Sequence, residues 1–218
     1  WVDPVAGERY RLLDVVPPAA ISLDRTSYLF ADHATRPVEV TVSSGDQPVA
    51  GTLHLELPEG WKATPAGFPL RLVPGRRDTV LRFRVTPPAA PATGTVRAFL
   101  ELESGRRLDR SRVTIDYPHI PMQTLLPLAE ARVMRADLAA RGKSIAYVMG
   151  SGDRVPEALA QMGFAVTLLT DDDLERGDLA RFPTIVVGVR AYNTRPRLLA
   201  AQPRLLDWVA KGGRLVVQ

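Results

Sequence analysis

Alternating apolar and polar positions dominate the first half of the chain. In the segment GTLHLELPEGW, Leu53, Leu55 and Leu57 share one face of an extended strand, and His54 and Glu56 share the other. The same alternation recurs with inward positions at Leu81, Phe83 and Val85, at Val96, Ala98, Leu100 and Leu102, and at Val113, Ile115 and Tyr117. Turn-forming segments such as SSGDQP, VPGRRD and ESGRR separate these runs. Short half-buried strands at this spacing predict an all-β immunoglobulin-like sandwich over residues 20–117.

Continuous apolar runs replace the alternation in the last third of the chain. SIAYVMG, AVTLLT, TIVVGV and RLVVQ are typical of strands buried on both faces, and helix-length segments at 155–162 and 198–210 lie among them. Strands of this type that alternate with helices predict an α/β domain with a parallel sheet over residues 144–218. Because the last such strand ends the sequence, we expect this sheet to be incomplete at Gln218.

Two segments fall outside these predicted domains. Residues 1–19 form an N-terminal extension. Residues 118–143 contain the proline-rich stretch PHIPMQTLLP and then AEARVMRADLAARG, whose period fits neither a helix nor a strand. We therefore expect 118–143 to be a connector and lead-in between the two domains.

Composition excludes several classes of site and partner. The chain has no cysteine and three isolated histidines, so it offers no disulfide, no thiolate ligand and no predicted metal site. The net charge of +4 comes almost wholly from arginines that are scattered among acidic and strand residues, which argues against nucleic-acid binding. No apolar run approaches the ~20 residues of a membrane span.

Four segments carry a resemblance to a known family. YPHIPMQTLLPLAEARV, AYVMGSGDRVPEAL, LLTDDDL and above all IVVGVRAYNTRPRL resemble the C-terminal region of bacterial PIG-L (LmbE-like) deacetylases. In that family a sandwich similar to the NPCBM-associated domain precedes a flavodoxin-like domain related to class I glutamine amidotransferases. The resemblance implies an extracytoplasmic protein whose zinc-dependent deacetylase domain for N-acetylated sugars lies elsewhere in the polypeptide. It implies no cofactor for the residues present here.

The first candidate loop follows the first parallel strand. Gly150, Ser151, Gly152 and Asp153 lead toward a helix and resemble a phosphate-binding loop, yet Asp153 places a negative charge where the phosphate would sit. The alternative, which we favour, is that Ser151 or Asp153 caps the helix and Pro156 occupies its first turn.

The second candidate loop contains Asp171, Asp172 and Asp173. These carboxylates could contact ribose hydroxyls or a hard cation. We favour a simpler role, in which one of them caps a short helix and the other two are solvated.

The third candidate loop follows the third strand and contains Arg190, Tyr192, Asn193 and Arg195. An amidotransferase would carry its cysteine nucleophile there, and neither Arg190 nor Ala191 can attack a carbonyl. Two hypotheses stay open. The cluster binds an anionic group or a sugar, or Arg190 pairs with a neighbouring aspartate while Asn193 or Thr194 caps the next helix.

The residues predict a non-catalytic region, and the resemblance implies that it serves carbohydrate positioning or domain assembly beside a deacetylase domain. The alternative is an interaction module that binds a small anionic ligand through the third loop. Trp61, which follows a turn, is expected to lie in the sandwich core rather than to stack on a sugar.

Overall fold

The computed structural model describes residues 14–75, 78–140, 142 and 144–218, together with the backbone of residues 2–3 and 7–8. Its contacts divide the chain into two units. The first comprises residues up to Tyr28 and His33–Arg135, and the second comprises Leu29–Asp32 and Ala136–Gln218. A β-sandwich forms the first unit, and a parallel sheet with helices forms the second.

Most strand pairings in the first unit are antiparallel. Its strands are β1 (Val2–Asp3), β2 (Gly7–Glu8), β3 (Ala19–Leu23), β4 (Ser27–Phe30), β5 (Arg36–Ser44), β6 (Val49–Glu56), β7 (Lys62–Thr64), β8 (Phe68–Leu72), β9 (Thr79–Thr86), β10 (Ala92–Leu102), β11 (Arg107–Leu108), β12 (Val113–Ile115), β13 (Gln123–Leu125) and β14 (Glu130–Arg135). One sheet has the order β3-β5-β9-β7. The other has the order β4-β14-β10-β6-β8, with β11 beside β10.

The alternation in the sequence places the sandwich core as predicted on β9 and β10, whereas Val113 and Tyr117, which were also expected to face inward, are 45% and 57% exposed. Phe83 and Val85 of β9, and Val96, Ala98 and Leu100 of β10, are fully buried. Arg82 and Arg84, which lie between the inward residues of β9, are exposed. Trp61 is 6% exposed and lies in the core, as expected.

The boundary predicted between the two domains is wrong. Strand β14 lies inside the supposed connector 118–143 and pairs with β10 from Ala92–Arg135 to Arg97–Glu130. The first unit therefore continues to Arg135 rather than ending at residue 117. The predicted sandwich strand at 113–117 instead contributes β12, which forms a separate two-stranded hairpin with β13. Residues 1–19 include the β1-β2 pair and the first residue of β3.

Four parallel strands form the sheet of the second unit. Its elements are β15 (Ser144–Val148), α1 (Val155–Gln161), β16 (Ala165–Leu168), α2 (Asp171–Arg176), β17 (Thr184–Val187), α3 (Ala191–Thr194), α4 (Pro196–Ala210) and β18 (Arg214–Val217). The strand order is β16-β15-β17-β18, and all three pairings are parallel.

Helices cover the two faces of this sheet unequally. On one face, Leu174 of α2 and Leu198, Leu205 and Trp208 of α4 pack with Ile185 and other buried strand residues. On the opposite face, Tyr147 and Val186 pack against Val155 and Leu159 of α1. This arrangement follows from strands that are apolar on both faces, which need a helical layer on each side.

Candidate functional site

The candidate site lies at the carboxyl ends of β15 and β17. These strands are neighbours, paired from Ala146–Ile185 to Val148–Val187. The chain leaves β15 toward α1 on one face and leaves β17 toward α4 on the other. Connections that diverge in this way create the switch point at which open parallel sheets bind ligands.

The loops after β15 and β17 are in direct contact. The carbonyl oxygen of Val189 accepts hydrogen bonds from the backbone N–H of Ser151 at 3.0 Å and from its hydroxyl at 3.3 Å. A Cβ on Gly150 would lie 2.1 Å from the same carbonyl oxygen and 2.9 Å from the nitrogen of Ala191. Gly150 is therefore required because the backbones of the two loops approach each other closely there. This role follows from the neighbouring positions of β15 and β17 and does not need a bound phosphate.

Asp153 binds groups of its own unit. Its Oδ1 accepts hydrogen bonds from the hydroxyl of Tyr147 at 2.7 Å and from the N–H of Val155 at 3.0 Å. Val155 is the first residue of α1, and Pro156 occupies the first turn. The helix-cap hypothesis is thus right only in part: Asp153 accepts a bond from the first N–H of the helix, but the N-cap is Arg154, whose side chain makes no capping bond. Ser151 bonds to the third loop instead.

Tyr147 and Gly188 complete this arrangement and were not foreseen. Tyr147 is fully buried, and burial, followed by its hydrogen bond to Asp153, raises its pKa above the usual value. A Cβ on Gly188 would lie 2.6 Å from the Tyr147 hydroxyl and 2.8 Å from Oδ2 of Asp153, a buried atom that has no hydrogen-bond partner among the residues that the structure describes. One signal was available in the sequence, since a tyrosine inside an apolar run needs a partner for its hydroxyl.

Arg190 occupies an unusual backbone conformation. Its φ of 57° and ψ of 20° lie in the left-handed region, where a side chain costs about 1–2 kcal/mol. Its carbonyl oxygen accepts from the N–H groups of Asn193 and Thr194 at 2.9 and 3.1 Å and from the Thr194 hydroxyl at 3.2 Å. Its guanidinium is exposed and makes no hydrogen bond or ion pair with the described residues. Of the two hypotheses for this loop, the one in which Arg190 pairs with a neighbouring aspartate is therefore wrong.

The neighbours of Arg190 differ in exposure. Tyr192 is half-buried and packs against the core on the α4 face, whereas Asn193 is exposed. The expected capping of α4 by Asn193 or Thr194 is also wrong, because Arg195 holds that position and no side chain caps the helix.

Arg195 is the arginine that pairs with an aspartate. Its Nε lies 3.0 Å from Oδ1 of Asp171, which its Nη2 also contacts. Its Nη1 donates to the carbonyl oxygens of Met149 at 3.4 Å and Leu169 at 3.3 Å. Only 19% of its side chain is exposed. Arg195 therefore ties the ends of β15 and β16 to the start of α2, and its guanidinium is occupied by these contacts.

Two further arginines bind α2, and sequence reasoning missed both. Arg197 holds the two carboxylate oxygens of Glu175 at 2.6 and 2.7 Å and Oδ1 of Asp172 at 2.7 Å. These bonds raise the pKa of Arg197, and its hydrogen bond lowers the pKa of Glu175. Arg204 donates to carbonyl oxygens at the end of α2, namely those of Asp173, Leu174 and Gly177.

The aspartates of the second loop serve α2. Asp173 and Thr170 form a capping box, and the bonds from Thr170 lower the pKa of Asp173. The N-cap is therefore Thr170 rather than one of the predicted aspartates, and Asp173 takes part in the capping box as the third helical residue. The expectation that the other two aspartates are merely solvated is wrong, because Asp171 pairs with Arg195 and Asp172 pairs with Arg197.

The eight predicted site residues lie in the first and third loops. The structure joins these two loops chiefly through backbone groups. Gly150 and Ser151 contact the third loop, and Arg195 reaches the first loop at the Met149 carbonyl. No hydrogen bond links the side chains of Arg190, Tyr192 or Asn193 to residues 150–153. Gly152 has a φ of 88° and open space around it.

Within the described residues, no three histidine or acidic side chains are grouped so that they could hold a metal ion. The longest helix there, α4, has 15 residues, and none has the length and apolar character of a membrane span.

No protein-family model matches the chain, and no curated protein sequence is similar to it. Among solved structures, native alpha-2-macroglobulin from Escherichia coli, from domain MG7 to the C-terminus, covers 54% of this chain at 12% identity and a TM-score of 0.35. The apo-form Calx CBD1 domain covers 55% at 12% identity and a TM-score of 0.31. A family 123 glycoside hydrolase from Clostridium perfringens covers 78% at 9% identity and a TM-score of 0.28.

This chain spans 16% of the macroglobulin fragment, 97% of the CBD1 domain and 37% of the hydrolase. Likenesses this distant carry no argument about function, so the function has to be argued from the site.

Proposed function

We propose that the second unit is a non-catalytic module that binds a small anionic group at Arg190. The observation that carries the proposal is the contrast among four arginines. Arg195, Arg197 and Arg204 are bound to groups of their own unit, whereas the guanidinium of Arg190 is exposed and unpaired among the described residues. A strained conformation that orients a free guanidinium at a switch point is typical of a functional position.

The ligand follows from the groups around Arg190. A planar guanidinium binds carboxylate or phosphate through two parallel hydrogen bonds. Asn193, three residues after Arg190, has an exposed side-chain amide. This amide can donate a hydrogen bond to a hydroxyl group of the ligand or accept one from it. The module would thus recognise a small carboxylate, a phosphate or an acidic sugar.

Titration with inorganic phosphate, citrate and glucuronate, followed by NMR or calorimetry, tests this proposal. Replacing Arg190 by Ala is expected to remove about 1–3 kcal/mol of binding free energy, the loss of a charge-assisted contact. The matched control is Arg214→Ala, which removes another exposed and unpaired guanidinium from the amino end of β18. Equal binding by both variants would place the anion elsewhere.

From the resemblance described above, we also propose which larger protein contains this module. The chain is an accessory region of an extracytoplasmic PIG-L-type deacetylase, with an immunoglobulin-like sandwich and a flavodoxin-like, amidotransferase-related α/β domain. The order β16-β15-β17-β18 supports the flavodoxin-like part, since such sheets begin with the second strand beside the first and the third on its other side. Arg190 and Ala191 after β17 support a module without the amidotransferase nucleophile.

Carbohydrate positioning and domain assembly are the two roles proposed for this accessory region. The sequence of the complete polypeptide, together with deacetylase assays with and without these 218 residues, tests the setting. A polypeptide without a deacetylase domain would overturn the setting and leave the anion-binding proposal standing.

A further inference from the structure

A groove on the first unit lies where the end of β3 meets two neighbouring segments. It has a volume of about 650 Å³ and is lined by the turn from Ser22 to Thr26, by residues 110–113 and by residues 127–130. This volume is within the range of about 300–1,000 Å³ that is usual for binding sites. The sequence did not predict any of its lining residues to belong to a binding site.

Arg112 gives the groove its unpaired positive charge, because the two other arginines of the lining have acidic partners. Arg25 pairs with Asp24 at 2.9 Å, and Arg110 lies 3.5 Å from a carboxylate oxygen of Asp109 and donates to the carbonyl of Leu126 at 3.2 Å. Arg112 is exposed and makes no side-chain hydrogen bond or ion pair with the described residues. The acidic residue in the lining is Glu130, whose carboxylate already accepts a bond from Arg97 at 3.0 Å.

Strand β3 presents backbone groups to this groove, because it is an edge strand of its sheet. The N–H of Ile21 points away from β5 and donates to the carbonyl of Arg110 at 2.9 Å. Backbone groups of every second residue in a strand point to the same side, so the N–H and C=O of Leu23 also point away from β5. Among the described residues, no backbone hydrogen bond joins Leu23 to 110–113, so the pairing stops one step before the groove.

Apolar side chains complete the lining. Leu23, Val113 and Leu128 all contribute to it, and Val113 and Leu128 are 45% and 36% exposed. An open strand edge, apolar contacts and guanidinium groups thus occur in one place. A small free anion would use the last of these features alone.

We propose that this groove binds a short acidic peptide segment in extended conformation, added beside β3. The backbone of the peptide pairs with Leu23, its apolar side chains contact Val113 and Leu128, and its carboxylates bind Arg112 and its neighbours. This site is independent of the anion site proposed at Arg190.

Fluorescence anisotropy with a labelled peptide of alternating valine and glutamate tests the proposal. We expect saturable binding that weakens as salt is raised, because the contacts with carboxylates are screened. Arg112→Ala should weaken binding about tenfold, which corresponds to about 1.4 kcal/mol. Arg84→Ala, which removes an exposed arginine of β9 outside the groove, should bind like the unaltered protein.

Two further probes separate the parts of the proposal. The same peptide with N-methylated amides should bind at least tenfold more weakly, because it cannot pair with a strand edge. Failure of the Arg112 variant to differ from the Arg84 variant would overturn the site. Three results would overturn the extended acidic peptide as the ligand of the groove. The methylated peptide could bind equally well, a peptide of alternating valine and lysine could bind equally well, or equimolar glutamate could compete fully.

Discussion

Replacing Arg195 by Ala is expected to destabilise the second unit, although Arg195 looks from the sequence like part of a ligand loop. The change removes the pair with Asp171 and the bonds to the carbonyls of Met149 and Leu169. Asp171 would keep its charge with 30% of its side chain exposed, so water would restore part of its solvation.

The magnitude follows from these contacts. Hydrogen bonds to charged groups contribute about 1.5–3 kcal/mol each, and the two carbonyl bonds are long at 3.3 and 3.4 Å. Partial exposure places the expected loss below the 3–5 kcal/mol of a fully buried broken pair, at about 2 kcal/mol. For a unit of this size, that loss lowers the melting midpoint by on the order of 10 °C.

Hydrogen exchange localises the effect, because the slowest amides of β15 and β17 report the opening of the sheet. Their exchange free energy should fall by about 2 kcal/mol in Arg195→Ala and by less than about 0.5 kcal/mol in Arg190→Ala. The double change of Arg195 and Asp171 to Ala should cost less than the sum of the single changes, since removing both partners leaves no unpaired charge. The assignment of Arg195 to the scaffold fails if Arg195→Ala is neutral, or if Arg190→Ala costs as much.

Two more predictions concern the same unit. Tyr147→Phe should lower the free energy of unfolding by about 1–2 kcal/mol in urea titrations, because Asp153 Oδ1 loses a buried donor, and an unchanged midpoint would contradict this role. Asp173 and Glu175 have lowered pKa values in the folded protein, so their contribution to stability is complete above the unfolded pKa of about 4 and is lost as the pH falls through the folded values. Stability should therefore decline below about pH 4, and Glu175→Gln should reduce that slope; a slope that Glu175→Gln leaves unchanged would assign the acid sensitivity to other groups.

The sequence predicted those parts of the fold in which side-chain polarity follows the period of the element. Leu53 and Phe83 are buried, and apolar and polar residues alternate strictly around both of them. Strand β14 escaped prediction because an arginine occupies one of its inward positions. Arg135 is 5% exposed and donates to the carbonyl of Ala89 at 2.9 Å, so its burial depends on a loop that is distant in sequence.

The candidate site was predictable in place but not in detail. Parallel strand order alone brings the loops after β15 and β17 together, because neighbouring strands end at the same edge. Which arginine turns inward depends on the left-handed turn at Arg190 and on the position of α2 beside α4. Spacing in the sequence contains neither piece of information, and for that reason the sequence left open whether Arg190 pairs with an aspartate and did not indicate that Arg195 does.

The acidic helix α2 explains why a basic segment can leave one guanidinium for a ligand. Asp171, Asp172 and Glu175 engage Arg195 and Arg197, and the carbonyls at the end of α2 engage Arg204. These contacts neutralise most of the positive charge that the sequence concentrates at 190–204. An anion at the carboxyl ends of β15 and β17 would therefore meet the charge of Arg190 rather than that of four arginines, which favours a small ligand with one or two negative charges over a polyanion.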